Sequence, residues 1–136
     1  MTQFVEVKTA ELVGSALDWC VCMVATGAQY HDDYGRATLV IPGAAAMMDG
    51  LKRPGYAAAV PDYSSDWALS GPLRDKYDVG IEPGVPDGLR YAYVPGRDLD
   101  GSFGETALIA LCRVIVASEL GDVVQVPAEL VGVQHV

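Results

Sequence analysis

Residues Glu105–Leu120, ETALIALCRVIVASEL, run for sixteen positions without a glycine or proline and stop at Gly121. A run rich in Ala, Leu and Glu forms helix readily. Its acidic start suits the positive end of the helix dipole, and a glycine just past the last turn is a common stop. Ala107, Leu108, Leu111, Val114 and Ile115 give it a wide apolar face, which has to be buried. A second run, Ala16–Thr26, ALDWCVCMVAT, is apolar on nearly every side and ends at Gly27. Ser15, with Asp18 three residues on, reads as its cap in a capping-box-like pair. Both helices are predicted to lie inside the molecule.

Working outward, Gln3–Lys8 alternates, with Val5 and Val7 on one face and Phe4, Glu6 and Lys8 on the other, the pattern of a half-buried strand. Ala10–Val13 suits one helical turn. Gln29–Arg36, QYHDDYGR, reads as a polar loop, and Ala37–Ile41 as a strand ended by Pro42-Gly43. Signals from Pro42 to Tyr63 are mixed, with a helical turn at Ala44–Met48 and breaks at Pro54-Gly55 and Pro61-Asp62. Pro72–Tyr77 reads as a helix with proline in its first turn behind Ser70-Gly71. Gly80 to Gly88 and Pro95 to Gly104 read as loops around a strand at Leu89–Val94. Val123–Val126 reads as a short strand and Pro127–Leu130 as a turn. The sum is α+β: a single compact domain over 1–136, two buried helices on a small, mostly antiparallel sheet, and long Gly/Pro loops.

Composition excludes several classes. Nine Lys+Arg stand against eighteen Asp+Glu, a formal charge of −9, so nucleic acid duplex is not an expected partner. The longest apolar run, Trp19–Ala25, has seven residues, against about 18–20 for a spanning helix, so no membrane is expected either. Glu6, Glu11 and Asp18 place carboxylates where a secretory signal carries none. Cys20, Cys22 and Cys112 read as buried free thiols of a cytoplasmic protein. Cys20 and Cys22 sit two apart on a helix and point away from each other.

Few residues point to catalytic or metal chemistry. His31 and His135 are the only histidines, too few for a metal site, and the Cys20/Cys22 spacing is wrong for zinc. Asp98-Leu99-Asp100-Gly101 resembles the start of a calcium loop, but Phe103 and Ile109 fill the sixth and twelfth positions, where glycine and glutamate are needed. No nucleophile elbow or phosphate-binding glycine loop is present, so neither metal nor cofactor is expected. Gly71-Pro72-Leu73 and Gly104-Glu105-Thr106 each read as opening a helix and offering N–H groups to an anion, with Arg74 near the first; ordinary capping accounts for the same groups. The most distinctive segment is Tyr63-Ser64-Ser65-Asp66-Trp67. An indole beside a carboxylate equips a small-ligand pocket. The structural alternative, which the residue types favour, has Trp67 plugging the core while Asp66 caps the following turn.

Three blocks resemble the NinX-like family of short bacteriophage and prophage proteins. They are Ala16-Leu17-Asp18-Trp19; Tyr63-Ser64-Ser65-Asp66-Trp67 with Gly71-Pro72-Leu73; and Thr106-Ala107-Leu108-Ile109-Ala110 running on to Val116-Ala117-Ser118-Glu119-Leu120-Gly121-Asp122 and Val126-Pro127. The chain departs from the family at Gly104-Glu105-Thr106-Ala107, where Gly-Pro-Thr-Pro is common, and at Ser70-Gly71-Pro72, where Gly-Gly-Pro is common. The resemblance implies a cytoplasmic, phage-encoded accessory protein and supplies no catalytic mechanism.

Three functional readings follow. In the first the protein binds a small, nucleotide-derived ligand without catalysis, as a counter-defence sequestering protein, with Tyr63, Ser65, Asp66, Trp67, Gly71, Arg74 and Thr106 at the site. In the second a small acidic protein, with Asp32, Asp33, Asp62, Asp98 and Asp100 in its loops, docks on a basic surface of a host or defence protein. In the third His31 and nearby carboxylates serve an enzyme. A helix apolar all round also suits a homo-oligomer.

Overall fold

The computed structural model describes residues 3–33, 36–40, 60–83, 88–96 and 101–131. In chain order the elements are β1 (Phe4–Lys8), a 3-10 turn η1 (Thr9–Glu11), α1 (Gly14–Thr26), β2 (Gln29–Asp33), β3 (Arg36–Val40), α2 (Trp67–Tyr77), β4 (Gly80–Pro83), β5 (Arg90–Tyr93), β6 (Ser102–Gly104), α3 (Ala107–Leu120), β7 (Val123–Pro127) and η2 (Ala128–Leu130). The class is α+β. All described strands pair antiparallel, but in three small sheets instead of one: β1–β7, β2–β3 and β4–β5–β6.

α3 is the hub. It touches α1, α2, η1, the β4–β5–β6 sheet and β7, and buries Leu108, Ala110, Leu111, Cys112, Val114, Ile115 and Val116. α1 packs on it with Ala16, Leu17, Trp19, Cys20, Val21 and Cys22 buried. Full burial of each large aliphatic chain contributes about 1.5–3 kcal/mol, and this helix pair holds most of the buried apolar residues among those described. Gly27 stops α1 in the left-handed region (φ 72°), its N–H reaching the Met23 carbonyl.

Polar ties fix the periphery to the hub. Thr9 is buried; its N–H donates to the Asp122 carbonyl at 2.8 Å and its hydroxyl to the Gly121 carbonyl at 2.6 Å. Arg113 of α3 donates from Nε to the Leu12 carbonyl at 2.9 Å and from Nη1 to the Phe103 carbonyl at 2.8 Å.

Several expectations are corrected. Ser15 does not cap α1: the cap position is Val13, with no side-chain bond, and Asp18 is buried further along the helix. Gln29–Asp33 is a strand, because its backbone pairs with Arg36–Val40, so Asp32 and Asp33 lie in a ladder and not in a loop. Gly80–Pro83 and Ser102–Gly104 are likewise strands, on either side of β5. α2 begins five residues before Pro72, at Trp67. The expected features at Ala44–Met48, Pro54-Gly55, Pro86-Asp87 and Asp98-Leu99-Asp100 lie outside the described residues, as does His135.

Candidate functional site

An aspartate inside an apolar helix has to find a partner, since burying a bare carboxylate is costly. Asp18, only 7% exposed, finds it 46 residues away: its Oδ1 accepts the Ser64 N–H at 2.7 Å. Burial raises its pKa, hydrogen bonds from Ser64 partly offset that, and the Asp62 charge adds to the rise. The neighbouring Tyr63 is also buried. Its carbonyl accepts the Ser70 hydroxyl at 2.6 Å and the Cys112 thiol at 3.5 Å. Burial raises the Tyr63 phenol, helped by Cys22, Asp18 and Cys112.

The turn at 62–65 is therefore pinned by α1 through Asp18, by α2 through Ser70 and by α3 through Cys112. Each anchor comes from one of the three sequence blocks or lies within its span. Chemically this knot is a mount and not a reaction centre. Burial pushes the Cys112 thiol up to about 12, and a thiol donating to a carbonyl is a protonated one, a poor nucleophile. Ser70 is wholly buried with its proton committed to Tyr63.

What the mount holds is α2. Asp66 occupies the N-cap position and its Oδ1 accepts the Ala68 N–H at 2.9 Å. Trp67 follows as the first helical residue and is 45% exposed. The two structural alternatives thus separate: the carboxylate does cap, while the indole does not plug the core. Ser70 and Leu73 are buried, so the opposite side of the helix faces water. On or beside that side, at spacings of four and three, come Trp67, Gly71 and Arg74, near neighbours on a helix surface. A side chain added at Gly71 would begin in open space, with no heavy atom within 4 Å. Arg74 is held by its Nε, which donates to the Val79 carbonyl at 3.2 Å, leaving its terminal nitrogens to serve as donors. Seven residues at 1.5 Å rise separate the Trp67 and Arg74 Cα atoms by about 10 Å along the axis.

The remaining expected residues fall as follows. Ser65 is exposed beside Asp66, its hydroxyl 3.5 Å from the Asp62 carbonyl. Tyr63 belongs to the buried mount and does not line a recess. Gly71 is interior to α2 and opens no helix, so its N–H is not one of the free groups of a helix start. Thr106 does stand at a helix start, but its hydroxyl already accepts the Ile109 N–H at 3.1 Å as the cap of α3. His31 sits in β2 opposite Thr38. Sequence reasoning missed Asp18, Ser70 and Cys112 as the supports of the site. The available signal was the lone carboxylate in an otherwise apolar helix.

No group of three or more His, Cys, Asp or Glu among the described residues is placed to hold a metal ion, and no described helix is long and apolar enough to cross a membrane. A scan against models of known protein families finds no match for the chain, and neither does a search of curated proteins.

Proposed function

We propose that the protein is a phage- or prophage-encoded accessory protein, acting in the cytoplasm of the bacterial host, that binds a small nucleotide-derived ligand without transforming it. The binding surface is the solvent face of α2. The Trp67 indole stacks on the planar base, the ligand lies over the bare backbone at Gly71, and the Arg74 guanidinium takes the anionic end. Ser65 and the second oxygen of Asp66 meet polar edges of the base. The observation that carries this reading is the open space over Gly71 between an exposed indole and a tethered guanidinium. The buried knot supports it by fixing the helix that presents all three.

The test is calorimetric titration and thermal melting with a panel of cyclic and ADP-ribose-type nucleotides. At least one should bind wild type, and binding should be lost in both Trp67→Ala and Gly71→Leu. Leu at 71 is a good helix former whose Cβ begins in open space, so that variant should keep the fold while occupying the ligand's place. Absence of any melting shift across the panel, or undiminished binding by Gly71→Leu, rejects the proposal.

A further inference from the structure

A second surface, independent of α2, lies on the far side of the β4–β5–β6 sheet. Ala92, Ser102 and Gly104 are buried on the side facing α3, where Gly104 abuts Ile109 and Ala110. Strand alternation therefore turns Gly80, Glu82, Tyr91, Tyr93 and Phe103 outward. Three of these form a continuous aromatic row: Tyr91 and Tyr93 stack with centroids 5.9 Å apart, and Tyr91 meets Phe103 at 5.0 Å.

The two tyrosine rings are seated in place. Tyr93 lies over Gly80 and Tyr91 over Gly101, so closely that a Cβ at either glycine would overlap the ring. The Tyr91 hydroxyl also accepts the Gly101 N–H at 3.1 Å. Phe103 stays 42% exposed, and Glu82, Tyr91 and Phe103 stand in register across the three strands. None of the outward strand positions carries Lys or Arg, in a chain of net charge −9.

We propose that this face docks a basic peptide segment of another protein, seating Arg or Lys heads on the Tyr91–Tyr93–Phe103 rings with Glu82 as the counter-charge. The negative faces of aromatic rings attract cations, a carboxylate beside them matches a guanidinium, and the acidic chain steers a positive partner inward. An anionic partner would meet Glu82 and the field of the whole molecule. The acidic-protein reading of the sequence thereby acquires a defined surface, whether or not α2 binds a nucleotide.

Fluorescence anisotropy with a labelled Arg-Gly repeat peptide tests this, against the same peptide carrying citrulline, which keeps the shape and loses the charge. The arginine peptide should bind and the citrulline peptide should not. Phe103→Ala should weaken binding roughly two- to five-fold, the scale of an exposed cation–π contact, and Glu82→Gln by up to about five-fold, the scale of an exposed ion pair. Glu129→Gln removes one exposed carboxylate on η2, off this sheet, and should leave binding unchanged. Equal binding of the two peptides, no binding of either, or a loss in Glu129→Gln matching that in Glu82→Gln overturns the proposal. Glu82→Gln removes no packing, so it decides the matter even where Phe103→Ala lowers stability.

Discussion

Asp18 shows how one buried group couples a helix to a distant turn. Its pKa is raised above the ordinary 3.8 by burial, so in the folded state the proton is held more tightly than in the unfolded chain. Folding then takes up a proton, and this contribution to stability is complete below the unfolded value and is lost as pH rises through the folded one. Asp18→Asn keeps an acceptor for Ser64 without the charge. Urea denaturation across pH 4–8 should show the Asn variant gaining on wild type as pH rises, most steeply just above the ordinary carboxylate range. Asp18→Ala, which also leaves the Ser64 N–H without its acceptor, should follow the same pH trend as Asp18→Asn, displaced downward by about 1–3 kcal/mol. At this scale the sequence was half legible. The Ser15/Asp18 spacing looked like a cap because local spacing is all that a local motif contains. The true partner lies 46 residues away, and only the oddity of a carboxylate among apolar neighbours hinted at it.

The helices that carry the core were readable because a long apolar run is its own evidence: α1 and α3 start within two residues of expectation and stop where a glycine follows. The start of α2 is harder to read, for an identifiable reason. A proline usually marks a first turn, yet Pro72 lies inside the helix on an exposed position, where water can satisfy the carbonyl it leaves unpaired. The stronger signal was Asp66 as N-cap. QYHDD and GIEP lack the apolar alternation of a strand, and the pairing that makes β2 and β4 strands comes from β3 and β5. α2 also gives a clean prediction. Gly71 is helical, exposed on its Cβ side and unobstructed, so Gly71→Ala should stabilise the protein by about 0.5–1 kcal/mol in chemical denaturation. A destabilised alanine variant would mean that the space is not open.

At the scale of the whole molecule, α3 organises the rest through one side chain as well as through packing. Arg113 links it to the residue after η1, 101 positions away, and to β6. Burial lowers its pKa, with Glu105 opposing, and its charge rests on two carbonyls. Charge-assisted bonds of this kind contribute about 1.5–3 kcal/mol. Arg113→Met should lower unfolding stability by that order, and Arg113→Lys should recover only part, since one ammonium lacks the fork that spans both carbonyls. An unchanged midpoint in the Met variant would assign the tie no role. The same long separations explain why the α+β class was visible in the sequence while the division of its strands into three sheets was not: composition and periodicity report faces, and pairing is settled between distant segments.

The antiparallel pairing of β1 with β7, which sets Phe4 opposite Pro127, has a consequence for biosynthesis. β1 has no mate until β7 has emerged from the ribosome. Val5 and Val7 of a nascent chain must therefore wait with their sheet incomplete while nearly everything between them and β7 is synthesised. Closure of that ladder is a non-local event that has to overcome the loop entropy of the chain between the two strands.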